Sequence, residues 1–148
     1  MPTPSTFQTY MSLYKNAAPM VDSNGIVRNF IWSPRFATKV AAYTVTAAET
    51  GTHFNTTGAT TAITFTLPAI STGPWVFKFI NSVDLAMTVT AATADTIITY
   101  NDIDIDSVGA ATAGELIGAV INAYCDGTSL WVTGETGMPT YQTFTLTD

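Results

Sequence analysis

At 148 residues the chain suits one domain, since roughly 100–150 residues is the commonest size of a single core. Its 47% hydrophobic and 11% charged residues exclude the apolar-poor, highly charged composition of a disordered chain, and no apolar run approaches the ~18 residues that span a membrane as a helix. The net charge of −6 is unevenly spread: residues 1–40 carry Lys15, Arg28, Arg35 and Lys39 against Asp22 (net +3), whereas later residues set Lys78 against ten acids (net −9), too few cations for nucleic-acid binding.

The first elements in chain order belong to the basic part. Phe7, Tyr10, Met11 and Tyr14 recur at helical spacing behind Ser5 and Thr6, which predicts a short capped amphipathic helix. Such a helix is marginal alone, so its apolar stripe needs a surface to lie on. Asn24-Gly25 then predicts a tight hairpin between Met20-Val21 and Ile26-Val27. Phe30, Ile31 and Trp32 precede Ser33-Pro34, where proline interrupts a strand. Residues 1–40 read as an extended N-terminal arm. Its partner-binding candidates are the apolar anchors Phe7, Tyr10, Met11, Tyr14, Phe30 and Trp32, with Arg28 and Arg35 adding attraction to an acidic surface.

Residues 41–148 read as the body. Threonine, 28 residues of the chain, suits the half-buried pleated surface of a strand. Alternation predicts strands at 42–47, at Ile63/Phe65/Leu67, at Trp75/Phe77/Phe79, at Leu85/Met87/Val89, and over 96–100, 116–125, 130–133 and 141–146. Turns at Thr57-Gly58-Ala59, Ser71-Thr72-Gly73-Pro74 and Asp126-Gly127-Thr128-Ser129 separate them. The expected fold is all-β, a sandwich or jelly-roll-like domain of about eight short strands, and its edges and few charges favour a symmetric oligomer, a trimer first.

Reactive residues are sparse. His53 is the one histidine and Cys125 the one cysteine, so the chain holds no His pair for zinc, no second histidine for a proton relay and no internal disulfide. His53 reads as structural at a strand start and Cys125 as a small buried hydrophobe. Asp102, Asp104 and Asp106 are the candidate metal ligands, spaced like the opening of a calcium loop. However, Ser107 stands where the tight-turn glycine is needed and Ala113 where the bidentate glutamate is needed. A solvated acidic edge that discourages wrong pairing is the reading preferred, ahead of a weak oxygen site shared with Asn101. Trp75, Trp131, Tyr100, Tyr124 and Tyr141 could form a sugar platform, although Trp75 alternates with Phe77 and Phe79 as a core residue does. Neither a cofactor nor a catalytic residue is expected.

The run Tyr43-Thr44-Val45-Thr46-Ala47 through Gly51 and Phe54, then Thr57-Gly58-Ala59, Thr64-Phe65-Thr66-Leu67-Pro68 and Tyr124-Cys125-Asp126-Gly127-Thr128-Ser129-Leu130-Trp131-Val132, resembles a β-domain of tailed-bacteriophage virion proteins. Head decoration, or capsid cement, proteins are the members it is most similar to, over residues 41–133. The resemblance implies a small β-domain, often trimeric, bound to major capsid protein and to its own copies on the capsid exterior. It would be synthesised in the host cytoplasm, consistent with Met1-Pro2-Thr3-Pro4-Ser5 lacking the pattern of a secretory signal. Neither nucleic acid nor membrane is an expected partner. A phage fibre or tail component that binds a host glycan is the alternative, and a hydrolase is a remote third.

Overall fold

A computed structural model of the chain describes residues 35–93, 95–100, 102–112, 116–135 and 144–147, all within the unit Pro34–Asp148. Six strands come first: β1 (Arg35–Thr38), β2 (Tyr43–Thr44), β3 (Thr52–Asn55), β4 (Ile63–Thr66), β5 (Trp75–Ile80) and β6 (Met87–Thr90). They alternate between two sheets, and every neighbouring pair among them is parallel. The chain therefore winds as a flattened coil, with one strand of each turn in each sheet, as in a β-solenoid. Then come β7 (Ile97–Thr99), β8 (Asp102–Ile105), β9 (Ser107–Ala110), β10 (Val120–Cys125), β11 (Leu130–Glu135) and β12 (Phe144–Thr147). Here the direction reverses, β9 running antiparallel to β6 and β10 antiparallel to β5. The sheets read β1-β3-β5-β10-β11-β7-β8 and β12-β9-β6-β4-β2.

The all-β sandwich is the fold that the sequence predicts. Among the described residues its strands number twelve and its pairing is mixed, five of the ten ladders being parallel.

Period-two alternation builds the core directly. On the five-stranded sheet Ile63, Phe65, Met87, Val89 and Val108 point inward and are buried. Their neighbours form two threonine ladders on the outer face: Thr44, Thr66, Thr90, Ser107 and Thr147 in one row, and Thr64, Thr88, Gly109 and Thr145 in the other. On the seven-stranded sheet Trp75, Phe77, Phe79, Ile121, Ala123, Leu130 and Val132 are buried. The sheets meet through a ring cluster in which Phe54 stacks on Phe79 at 5.6 Å and touches Phe65 of the opposite sheet at 5.8 Å, offset geometries that ring quadrupoles favour.

Several elements differ from the sequence reading for local reasons. Arg35–Thr38 lies in the segment read as the arm, yet it pairs with β3 residue for residue. The strand predicted over 42–47 is only Tyr43–Thr44. Glu49 draws the following chain into a 3-10 turn, accepting the Thr46 N–H at 2.9 Å and the Tyr43 hydroxyl at 2.8 Å. Lys39 lies over the Tyr43 ring, its Nζ 3.2 Å from the centroid. The run 116–125 becomes a strand only at Val120, because Gly118 adopts φ +85° in a turn.

The turn between β5 and β6 is fixed by Asn81, which is 1% exposed. Its Oδ1 accepts the Thr56 hydroxyl at 2.7 Å and its Nδ2 donates to the Leu85 carbonyl at 2.8 Å. Asn81→Ala is expected to cost about 2–3 kcal/mol in urea denaturation, because it orphans buried groups on both sides.

Candidate functional site

The outward face of the seven-stranded sheet is set by the same alternation that fills the core. With Trp75, Phe77 and Phe79 turned inward, Val76 and Lys78 turn outward. Register then places Val76 opposite Tyr124, Tyr124 opposite Trp131 and Trp131 opposite Ile98. Val76, Tyr124 and Trp131 are 40%, 44% and 37% exposed, so each keeps one side uncovered while its cross-strand neighbours hold the other. The next outward row is polar over its central strands, His53, Lys78, Asn122 and Thr133, and ends on the exposed Phe36 of β1.

At the end of the apolar row lies an open groove of about 390 Å³, whose lining includes Thr50, Trp75, Val76, Tyr124, Asp126 and Trp131. Asp126 opens the β10–β11 turn, and its Oδ1 accepts the N–H groups of Ser129 and Thr128 at 2.8 Å each. These two donors hold its carboxyl below the usual carboxylate range. Thr50 Oγ1 accepts the Val76 N–H at 3.0 Å. Trp75 is 3% exposed, and its buried indole N–H finds no acceptor among the described residues. Beside it Cys125 Sγ accepts the Gly127 N–H at 3.3 Å, and burial pushes its thiol up, away from the reactive thiolate.

Three of the five aromatic residues named from sequence therefore meet at one place, Trp75 doubling as core and groove lining. Tyr100 does not join them: its hydroxyl accepts the Gly134 N–H at 3.1 Å. Tyr141 lies outside the described residues, as do Phe7, Tyr10, Met11, Tyr14, Arg28, Phe30, Trp32 and Asn101. Arg35 is exposed at the start of β1. Asp102 and Asp104 are exposed on edge strand β8, the Asp104 N–H donating to Asp102 Oδ1 at 3.1 Å, and Asp106 is exposed in the bend where the chain crosses between sheets. Among the described residues no three His, Cys, Asp or Glu side chains gather as a metal site. His53 sits in β3 with its ring edge-on to Phe36 at 5.3 Å. Its desolvation, with Lys78 nearby, lowers its pKa against the opposing pull of Glu135.

No protein-family profile, curated protein or solved structure matches the chain.

One ion pair borders the polar row. Glu135 accepts the Asn122 amide at 2.8 Å and Lys78 Nζ at 3.1 Å, and these two contacts lower its pKa against a smaller effect of burial. A depressed folded pKa contributes stability above the ordinary glutamate range, and that stability is lost as pH falls through the folded value. At 52% side-chain exposure screening keeps the effect under about 1 kcal/mol. The stability gap between the parent and Glu135→Gln should therefore be small at neutral pH and vanish in acid, as thermal melts across that range would record.

Proposed function

We propose that the chain is a structural virion protein that decorates and stiffens the exterior of a phage capsid, binding major capsid protein and further copies of itself. One observation supports this reading most. The described body is a sandwich with an edge strand at each end of both sheets, β1 and β8 in one and β12 and β2 in the other. Unpaired edges are templates for another chain, and β1 and β12 keep much of their surface exposed. A closed ring of three copies, edge against neighbour, would cover such edges. The basic residues 1–40 and the acidic remainder add complementary charge between neighbours or toward a shell.

Copy number tests the reading: quantitative gel analysis of purified particles should place the protein among their most abundant components. Scarcity would favour the fibre or tail alternative, and absence would remove both. Light scattering should give a closed oligomer, three copies first. A stable monomer at micromolar concentration, both free and released from particles, would count against the edge argument.

A further inference from the structure

We infer that the groove over Val76, Tyr124 and Trp131 binds a neutral sugar, one face of a pyranose ring lying on the exposed sides of the two aromatic rings. The inference does not rest on the capsid reading, since a sugar site is compatible with a shell or a fibre location.

The size of the apolar surface is the first argument. It is one row deep, bounded by Lys78, Asn122 and Thr133 in the next. A stable protein interface needs about 20–30 residues and ~800 Å² a side, whereas a groove of about 390 Å³ falls in the ~300–1,000 Å³ range of small-ligand sites. Ring geometry is the second. Tyr124 and Trp131 are direct cross-strand partners, held by the sheet and limited to two side-chain torsions each, so little entropy is lost when a flat ligand settles on them. The polar rim is the third. The Asp126 carboxylate, fixed by its turn, lines the groove as an acceptor, and the exposed Thr50 hydroxyl, whose oxygen already accepts the Val76 N–H, stands beside it as a donor. Apolar C–H faces flanked by hydroxyls match that combination of ring, acceptor and donor. An anionic ligand does not: none of the described lining residues is Lys or Arg, and Asp126 repels phosphate or carboxylate.

The full chain should be titrated with glucose, galactose, N-acetylglucosamine and their β-linked dimers while the indole N–H resonances are followed by NMR. At least one sugar should shift the Trp131 signal saturably, with millimolar affinity. Trp131→Thr and Tyr124→Thr, which place on this face the residue that other outward positions carry, should each weaken binding by about tenfold or more. Ile117→Ala, exposed and outside the groove lining, should leave it unchanged. Two results would overturn the inference: no saturable shift with any sugar up to its solubility limit, or undiminished binding by both threonine variants whose spectra show the parent fold. Loss of head binding by those variants, with no sugar response in the parent, would assign the face to a protein partner and would likewise overturn it while leaving the capsid reading intact. A sugar response in a protein missing from particles would sink the capsid reading alone.

Discussion

Phe54→Ala should lower the unfolding free energy by about 3–5 kcal/mol, a large share of the ~5–15 kcal/mol that holds a typical domain folded. The Phe54 side chain is fully buried and belongs to the ring cluster through which the sheets meet. It lies 5.8 Å from Phe65 in the five-stranded sheet, and 6.1 Å and 5.6 Å from Phe77 and Phe79 in its own. Removing it leaves a void between two rigid ladders that cannot close without shifting register, so the cavity contribution should be near its upper range. Urea denaturation reads the change as a lower midpoint at unchanged slope. Phe36→Ala is the control: that ring is 63% exposed, and its loss should cost no more than about 0.5 kcal/mol. A Phe54→Ala loss under about 1 kcal/mol would mean that the sheets move together freely, against the picture of a tightly packed core.

Gly73→Ala is the second large effect, expected at about 3 kcal/mol. A methyl there would stand 2.7 Å from the Gly127 nitrogen, 2.9 Å from the Gly127 Cα and 2.8 Å from Cys125 Sγ. Two of these obstacles are backbone, so no rotamer change relieves them, and the β10–β11 turn would have to move. That turn also carries Asp126, and the substitution should therefore weaken any ligand of the groove as well as the fold. Gly134→Ala offers the contrast. The added methyl would meet the Phe144 ring, a side chain on an edge strand that can swing away, and the loss should be the smaller of the two. Thermal melts of both variants decide it, equal losses arguing that the turn yields as readily as the ring.

How much of this could be read from residues alone depended on chemistry more than on length. The inward faces of β4 and β5 were legible, since Ile63, Phe65 and Leu67 and then Trp75, Phe77 and Phe79 alternate cleanly and are all buried. β9 was not, because Ser107-Val108-Gly109-Ala110 has only one residue of strong strand preference. Its place between β6 and β12 needs the bare Gly109, where a methyl would meet Thr88 Oγ1 at 3.2 Å. The parallel pairing did leave a trace in the sequence. Ile63-Thr64-Phe65-Thr66 and Met87-Thr88-Val89-Thr90 repeat one pattern and stack in register, and reading them as successive turns of a coil would have revealed the winding. At the groove, Tyr124 and Trp131 were identifiable as aromatic candidates. Their adjacency was not, being a property of the β10–β11 register, and Asp126 read only as a turn residue.

The alternation of β1 through β6 between sheets has a kinetic consequence. No two strands consecutive in that stretch pair with each other, so each parallel ladder must wait for an intervening strand to be laid across the opposite sheet before its own partner returns. Such non-local closures carry their entropic cost before any contact repays it, and this slows folding. The antiparallel pairs β7–β8 and β10–β11 close over short connections instead. Nucleation is therefore placed in the later half of the chain, with β5 docking on the finished β10–β11 hairpin and the coil winding backward from there. On a ribosome this order keeps the earlier strands, with their alternating apolar residues, waiting for a template that is synthesised after them.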